Sequence, residues 1–101
     1  MNMERVEWLF KEYNRAVCLA QAGQNQEAAS ILRTILPDFE LVGEPNTLMK
    51  CLTSLASITS QLPDVEIAIE DTKKVVEFAK SIGDDQREKK FSQNLTKLYL
   101  L

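Results

Sequence analysis

Histidine is absent from the chain, and cysteine, glycine, proline and tryptophan are scarce: two, three, three and one among 101 residues. Without imidazole there is no Ser–His or Cys–His dyad and no histidine ligand for a metal. Two thiols, Cys18 and Cys51, are too few for a structural zinc site and do not make a disulfide framework. Gly23, Gly43 and Gly83 stand singly, so no glycine-rich loop is available to cradle phosphate. So few turn formers do not suit an all-β chain, which needs a turn every few residues. No apolar run is long enough to cross a bilayer. The opening Met1-Asn2-Met3-Glu4-Arg5 carries an acid early and leads into an amphipathic pattern, unlike a secretory leader. The expectation is a natural start at Met1, a reducing, cytoplasmic setting, no cofactor, no metal and no enzymatic activity.

What is present points to helices. Hydrophobic residues make up 45% and the formal net charge is -3, so the chain has a core to build and lacks the basic balance of a nucleic-acid binder. The basic doublets Lys73-Lys74 and Lys89-Lys90 are each diluted by nearby acids. Val6, Leu9, Phe10, Tyr13, Ala16, Val17 and Ala20 recur at three- and four-residue steps, predicting a helix over 4–22 with Asn2 as its cap and Gly23 as its stop. A second is expected over 25–36, capped by Asn25, with Ala28, Ile31, Leu32, Ile35 and Leu36 as its stripe. Pro37 is expected to end or kink it, with one more turn through Phe39, Leu41 and Val42 before Gly43. Glu44-Pro45 opens a third helix, proline suiting a first turn. A fourth is expected over about 65–81 and a fifth from Asp84-Asp85 to the end. Asp84 and Asp85, like the other carboxylates, read more readily as caps and solvating groups than as acid–base pairs. Both thiols sit among apolar neighbours and are expected to be buried.

The helices are not independent. Shifting the chain by 40 residues superposes Gly43 on Gly83, Ala16 on Ala56, Leu55 on Leu95, Ala28 on Ala68, Ile35 on Val75 and Leu36 on Val76. This is the signature of a helix-pair repeat, with small residues where two helices approach closely. The expected organisation is a single domain over 1–101: repeat one over 3–43, repeat two over 44–83 and a half repeat over 84–101.

The pattern resembles the tetratricopeptide repeat. It is carried by Leu55-Ala56 then Thr59, by Leu95-Thr96 then Tyr99, and by Ala16, Leu19, Gly23 and Ala28, over essentially the whole chain. The period is 40 rather than the usual 34 or so. Arg15, Thr59 and Pro63 depart from the leucine, aromatic and glycine of that family, and Pro37 interrupts a second helix. The resemblance implies an all-α solenoid of antiparallel pairs, five helices in about two and a half repeats. It implies a protein–protein interaction module that holds a helical or extended peptide in a concave groove lined by the first helix of each pair. Carried over by register, the groove positions are Phe10, Tyr13, Val17, Ala20 and Gln21, then Lys50, Thr53, Ser57, Ser60 and Gln61, then Lys90, Gln93 and Lys97. Phe10, Tyr13 and Val17 are the candidate apolar anchors, and Lys50, Lys90 and Lys97 the candidate contacts to acidic groups. The competing reading places the aromatics in the core and the lysines on a solvated face.

The two-carboxylate clamp of tetratricopeptide co-chaperones is not expected, because Tyr13 and Val17 stand at the places of its first Lys and Asn. By size and acidity the chain looks more like the small chaperones of type III secretion subunits. The end Leu98-Tyr99-Leu100-Leu101 is apolar where a solenoid is usually capped by polar residues, so a homodimer through the last helix is the alternative.

Overall fold

The computed structural model describes residues 3–101. Met1 and Asn2, and with them the expected Asn2 cap, lie outside the described residues. The described chain is all-helical, with five helices in order: α1 Met3–Gln21, α2 Asn25–Val42, α3 Pro45–Thr59, α4 Val65–Ile82 and α5 Asp85–Tyr99.

The helix ends follow from local chemistry. Glu44 is extended, and its carboxylate accepts from the backbone N–H of Asn46 and Thr47 at 3.1 and 3.0 Å. That satisfies two of the orphan donors of α3, while Pro45 at its first position has no N–H to satisfy. The Asp64 and Asp84 side chains do the same for α4 and α5, accepting from Ile67 and Arg87 N–H at 3.3 and 3.1 Å. Gly43 and Gly83 close α2 and α4 at φ +71° and +74°, a left-handed stop that any Cβ would strain.

Two expectations are corrected. Pro37 does not end its helix: α2 runs through it to Val42. A proline in a helix interior costs about 3 kcal/mol. Here the turn beyond it buries Phe39 to 2% exposure, against Phe10 and Tyr13 at edge-to-face centroid distances of 5.7 and 6.5 Å. Burying a Phe side chain is worth about 1.5–3 kcal/mol, and an aromatic pair adds roughly 0.5–1.5, which offsets the proline. Asn25 is not a cap either. It is the first residue of α2, the cap position is Gln24, and no side chain satisfies the N–H groups there. Asn25 instead donates its side-chain amide to Gln61 Oε1 at 3.4 Å.

Packing follows the chain order, each helix lying against the next, with a lighter contact between α1 and α3. Leu9, Leu32, Ile35, Phe39, Leu55 and Val75 fill the centre. Ala16, Ala28, Ala56 and Ala68, the expected close-approach positions, are all buried. One charge is buried with them. Asp71 accepts two hydrogen bonds from the Arg33 guanidinium, at 3.2 and 2.9 Å, tying α4 to α2. This bond is the main reason that the Arg33 pKa is raised. Among the described residues no buried side-chain nitrogen or oxygen lacks a partner.

Candidate functional site

A trough of about 490 Å³ lies where α1, α3 and α5 face one another. Val17, Ala20 and Gln21 come from α1 and Asn25 from the start of α2. Thr53, Ser54, Ser57 and Ile58 come from α3, Gln61 from the turn after it, and Arg87, Lys90 and Phe91 from α5. A second compartment of about 360 Å³ continues it between α3 and α5, from Ala56 and Ser60 past Asn94 and Lys97 to Leu98 and Leu101. Ser57 and Phe91 line both compartments, so the two form one continuous channel along α5.

Helical spacing builds its walls. Residues three and four apart on a helix share a face. On α5 that places Arg87, Lys90, Asn94 and Lys97 in one stripe, with Phe91 and Leu98 beside it as floor. On α3 the stripe is Thr53, Ser57 and Ser60, all hydroxyls. No Asp or Glu side chain lines either compartment, although the whole chain carries a net charge of -3. The four ion pairs among the described residues each use an arginine. In the channel Arg87 is paired with Asp84 at 2.6 Å, the main reason that the Asp84 pKa is lowered. Lys90 and Lys97 are in no ion pair. The Lys90 ammonium lies 5.6 Å from the centroid of Phe91.

Of the six expected partner-binding residues, Val17, Lys90 and Lys97 line the channel. Tyr13 stands behind its wall, its hydroxyl 2.9 Å from the hydroxyl of the lining residue Ser54. Phe10, 41% exposed, packs its ring edge-to-face on Phe39, away from the channel lining. Lys50 is exposed and lines neither compartment. The other register positions Ala20, Gln21, Thr53, Ser57, Ser60 and Gln61 all reach the channel, while Gln93 does not. Among the lining residues outside the groove register are Ser54, Ile58, Arg87 and Phe91, and Asn94, which register sets beside Lys90 only as a part of the clamp, lines the second compartment. The signal for the last three was the three-and-four spacing of α5 itself.

The two thiols differ. Cys51 is fully buried, and burial pushes its pKa up to about 12, which leaves it an inert core residue. Cys18 is exposed, correcting the expectation that both are buried: its side chain falls on the solvent side of α1, between the buried Ala16 and the half-buried Leu19. Among the described residues no group of three or more Cys, Asp and Glu side chains is placed to hold a metal. No helix among them is long and apolar enough to cross a membrane. At the far end, Leu98 is buried while Tyr99, Leu100 and Leu101 are exposed at 56, 81 and 83%.

No protein-family model, no curated protein and no solved structure matches the chain significantly. The helical-repeat reading therefore rests on the register and the geometry of the chain alone.

Proposed function

We propose that this protein is a tetratricopeptide-like helical-repeat module that holds a segment of another protein in the channel between α1, α3 and α5. The observation that carries the reading is the channel's composition. Nine of the expected groove positions line it: Val17, Ala20, Gln21, Thr53, Ser57, Ser60, Gln61, Lys90 and Lys97. A long, open, mixed polar and apolar concavity suits a polypeptide better than a small substrate, and no nucleophile–base pair stands in it. The partner is a protein rather than a nucleic acid, since a few cations on one helix do not make a phosphate-tracking surface. In its finer form the reading is a small adaptor or chaperone in a cytoplasmic setting, of the kind that serves secretion subunits.

The test is a peptide-display selection on the immobilised chain, run beside a Ser57→Trp version of unchanged helicity. Ser57 is exposed and lines both compartments, so an indole there fills the channel without entering the core. Peptides enriched on the first and lost on the second support the channel. Enrichment that ignores the tryptophan removes it.

A second reading has its own observation, the exposed Tyr99 and Leu100 at the end of the chain. Such an apolar patch suits self-association. Sedimentation across a concentration series tests it: a dimer that Leu100→Asp dissociates favours this surface, and a monomer throughout rejects it.

A further inference from the structure

We propose that the occupant of the channel is an extended, acidic segment of a partner protein, with carboxylates on alternate residues. The inference rests on the reading of the channel as a peptide site and adds the chemistry of what it takes.

Charge gives the first half. Arg87, Lys90 and Lys97 line the α5 wall and no Asp or Glu side chain lines any part of the channel. Among the described residues Lys90 and Lys97 have no counter-ion, whereas all four arginines do. The ammonium groups are thus left for a ligand, and an acidic protein that keeps its acids out of one concavity selects there for negative charge. Lys90 and Lys97 are seven residues apart on a straight helix, about 10 Å along its axis at 1.5 Å per residue. Carboxylates on one face of an extended chain stand two residues, about 7 Å, apart, a gap that two long lysine side chains close by leaning toward each other.

The hydrogen-bonding inventory gives the second half. Gln21, Asn25, Gln61 and Asn94 offer amides, and Thr53, Ser54, Ser57 and Ser60 offer hydroxyls. These groups both donate and accept. An extended segment brings unpaired backbone N–H and C=O groups that need such partners on burial. A helix satisfies its own backbone and docks by an apolar stripe in an apolar groove. The apolar lining, Val17 and Ala20 on α1, Ile58 on α3 and Phe91 and Leu98 on α5, is interleaved with these polar groups, which fits alternate side chains of a strand.

The experiment is selection from a random twelve-residue peptide library on the full chain, on Ser57→Trp, and on Lys90→Glu/Lys97→Glu. Both lysines are exposed, so reversing them leaves the core intact, and circular dichroism verifies the fold of each variant. The expected result is a pool dependent on Ser57 and rich in Asp or Glu pairs two apart. Its individual peptides should lose roughly tenfold in affinity on the reversed variant and weaken as salt is raised. Channel-dependent peptides that are neutral or basic, or whose acids repeat at helical spacing, overturn this inference while leaving the peptide site standing. A dimer of the chain that Lys90→Glu/Lys97→Glu dissociates overturns it in favour of a second copy. A library with no channel-dependent binder overturns both readings.

Discussion

In the first helix pair, Tyr13, Leu32 and Phe39 are large; forty residues on, the same places hold Thr53, Thr72 and Ala79. Leu32, Phe39, Thr72 and Ala79 are all buried, so the two pairs have similar frames with different filling. The consequence is seen where each pair meets the next. Tyr13 is long enough to leave α1 and bring its hydroxyl to Ser54 of α3. Thr53 is too short to reach Asn94 of α5, and its hydroxyl turns back to donate to the Lys50 carbonyl of its own helix at 3.2 Å. Accordingly α1 touches α3, whereas α3 and α5 make no comparable contact, and the channel opens between them. Where the first seam has an aromatic the helices touch, and where the second has a threonine in its place they do not.

The comparison can be broken first at Phe39. Phe39→Ala removes the ring that Phe10 and Tyr13 pack on, and should cost about 3–4 kcal/mol in urea unfolding. Ala79→Gly at the equivalent place should cost only about 1 kcal/mol. Equal losses would mean that the two pairs are not filled differently in energetic terms.

Next is the bond between α2 and α4. Arg33→Ala strands the Asp71 carboxylate, whose side chain is 2% exposed. Breaking a buried pair from one side costs several kcal/mol; with Arg33 itself 45% exposed, about 2 kcal/mol is expected here. Adding Asp71→Asn should recover part of the loss, because the stranded charge is gone. A double variant no better than the single one would show that the charge is not what matters.

A smaller effect is expected at the seam. Tyr13→Phe removes one hydrogen bond at a half-buried site and should cost about 1 kcal/mol. Thr53→Tyr, placing the long side chain on the second seam, should leave stability within about 0.5 kcal/mol and reduce peptide binding by narrowing the channel. Unchanged binding in that variant would sink the account of how the channel opens.

The smallest effect is in acid. The Glu44 pKa is lowered by the backbone donors Asn46 and Thr47, and the Asp84 pKa by Arg87. A carboxylate with a depressed folded pKa takes up its proton more readily when unfolded. Its contribution is therefore complete above the usual carboxylate range and lost as the pH falls through the lowered value. Acid titration of Glu44→Ala and Asp84→Ala should show a flatter fall in stability below that range than the parent chain. An identical fall would mean that other carboxylates set the acid limb.

The three glycines, Pro45 and Asp84 made the helix boundaries readable, because each has a local backbone reason to stand at an end. Pro37 misled, because a local rule was outweighed by a ring buried two residues later. The thiols divide the same way. Cys51 shows its burial in the stripe it shares with Leu48, Leu52 and Leu55, while Cys18 is exposed although Ile58 and Leu98 at its own register place are buried. Register found Val17, Lys90 and Lys97 because it identifies one line of positions per helix. It gave no reason to choose Phe91 and Asn94 over Gln93, since a cleft between two helices is lined from both sides of that line.

By itself, then, the sequence determined five helices, the ends marked by Gly43, Pro45, Gly83 and Asp84, the small close-approach residues and the 40-residue register. These depend on dihedral preference, capping and spacing along one chain, all of which are local. The tertiary structure alone decided that α2 passes through Pro37, that Arg33 reaches Asp71 and that Phe10 packs on Phe39. It also decided that the lysines of α5 face the hydroxyls of α3 across a gap. Those outcomes depend on how each helix is turned about its axis when side chains from different helices compete for the same space. No residue fixes that competition alone.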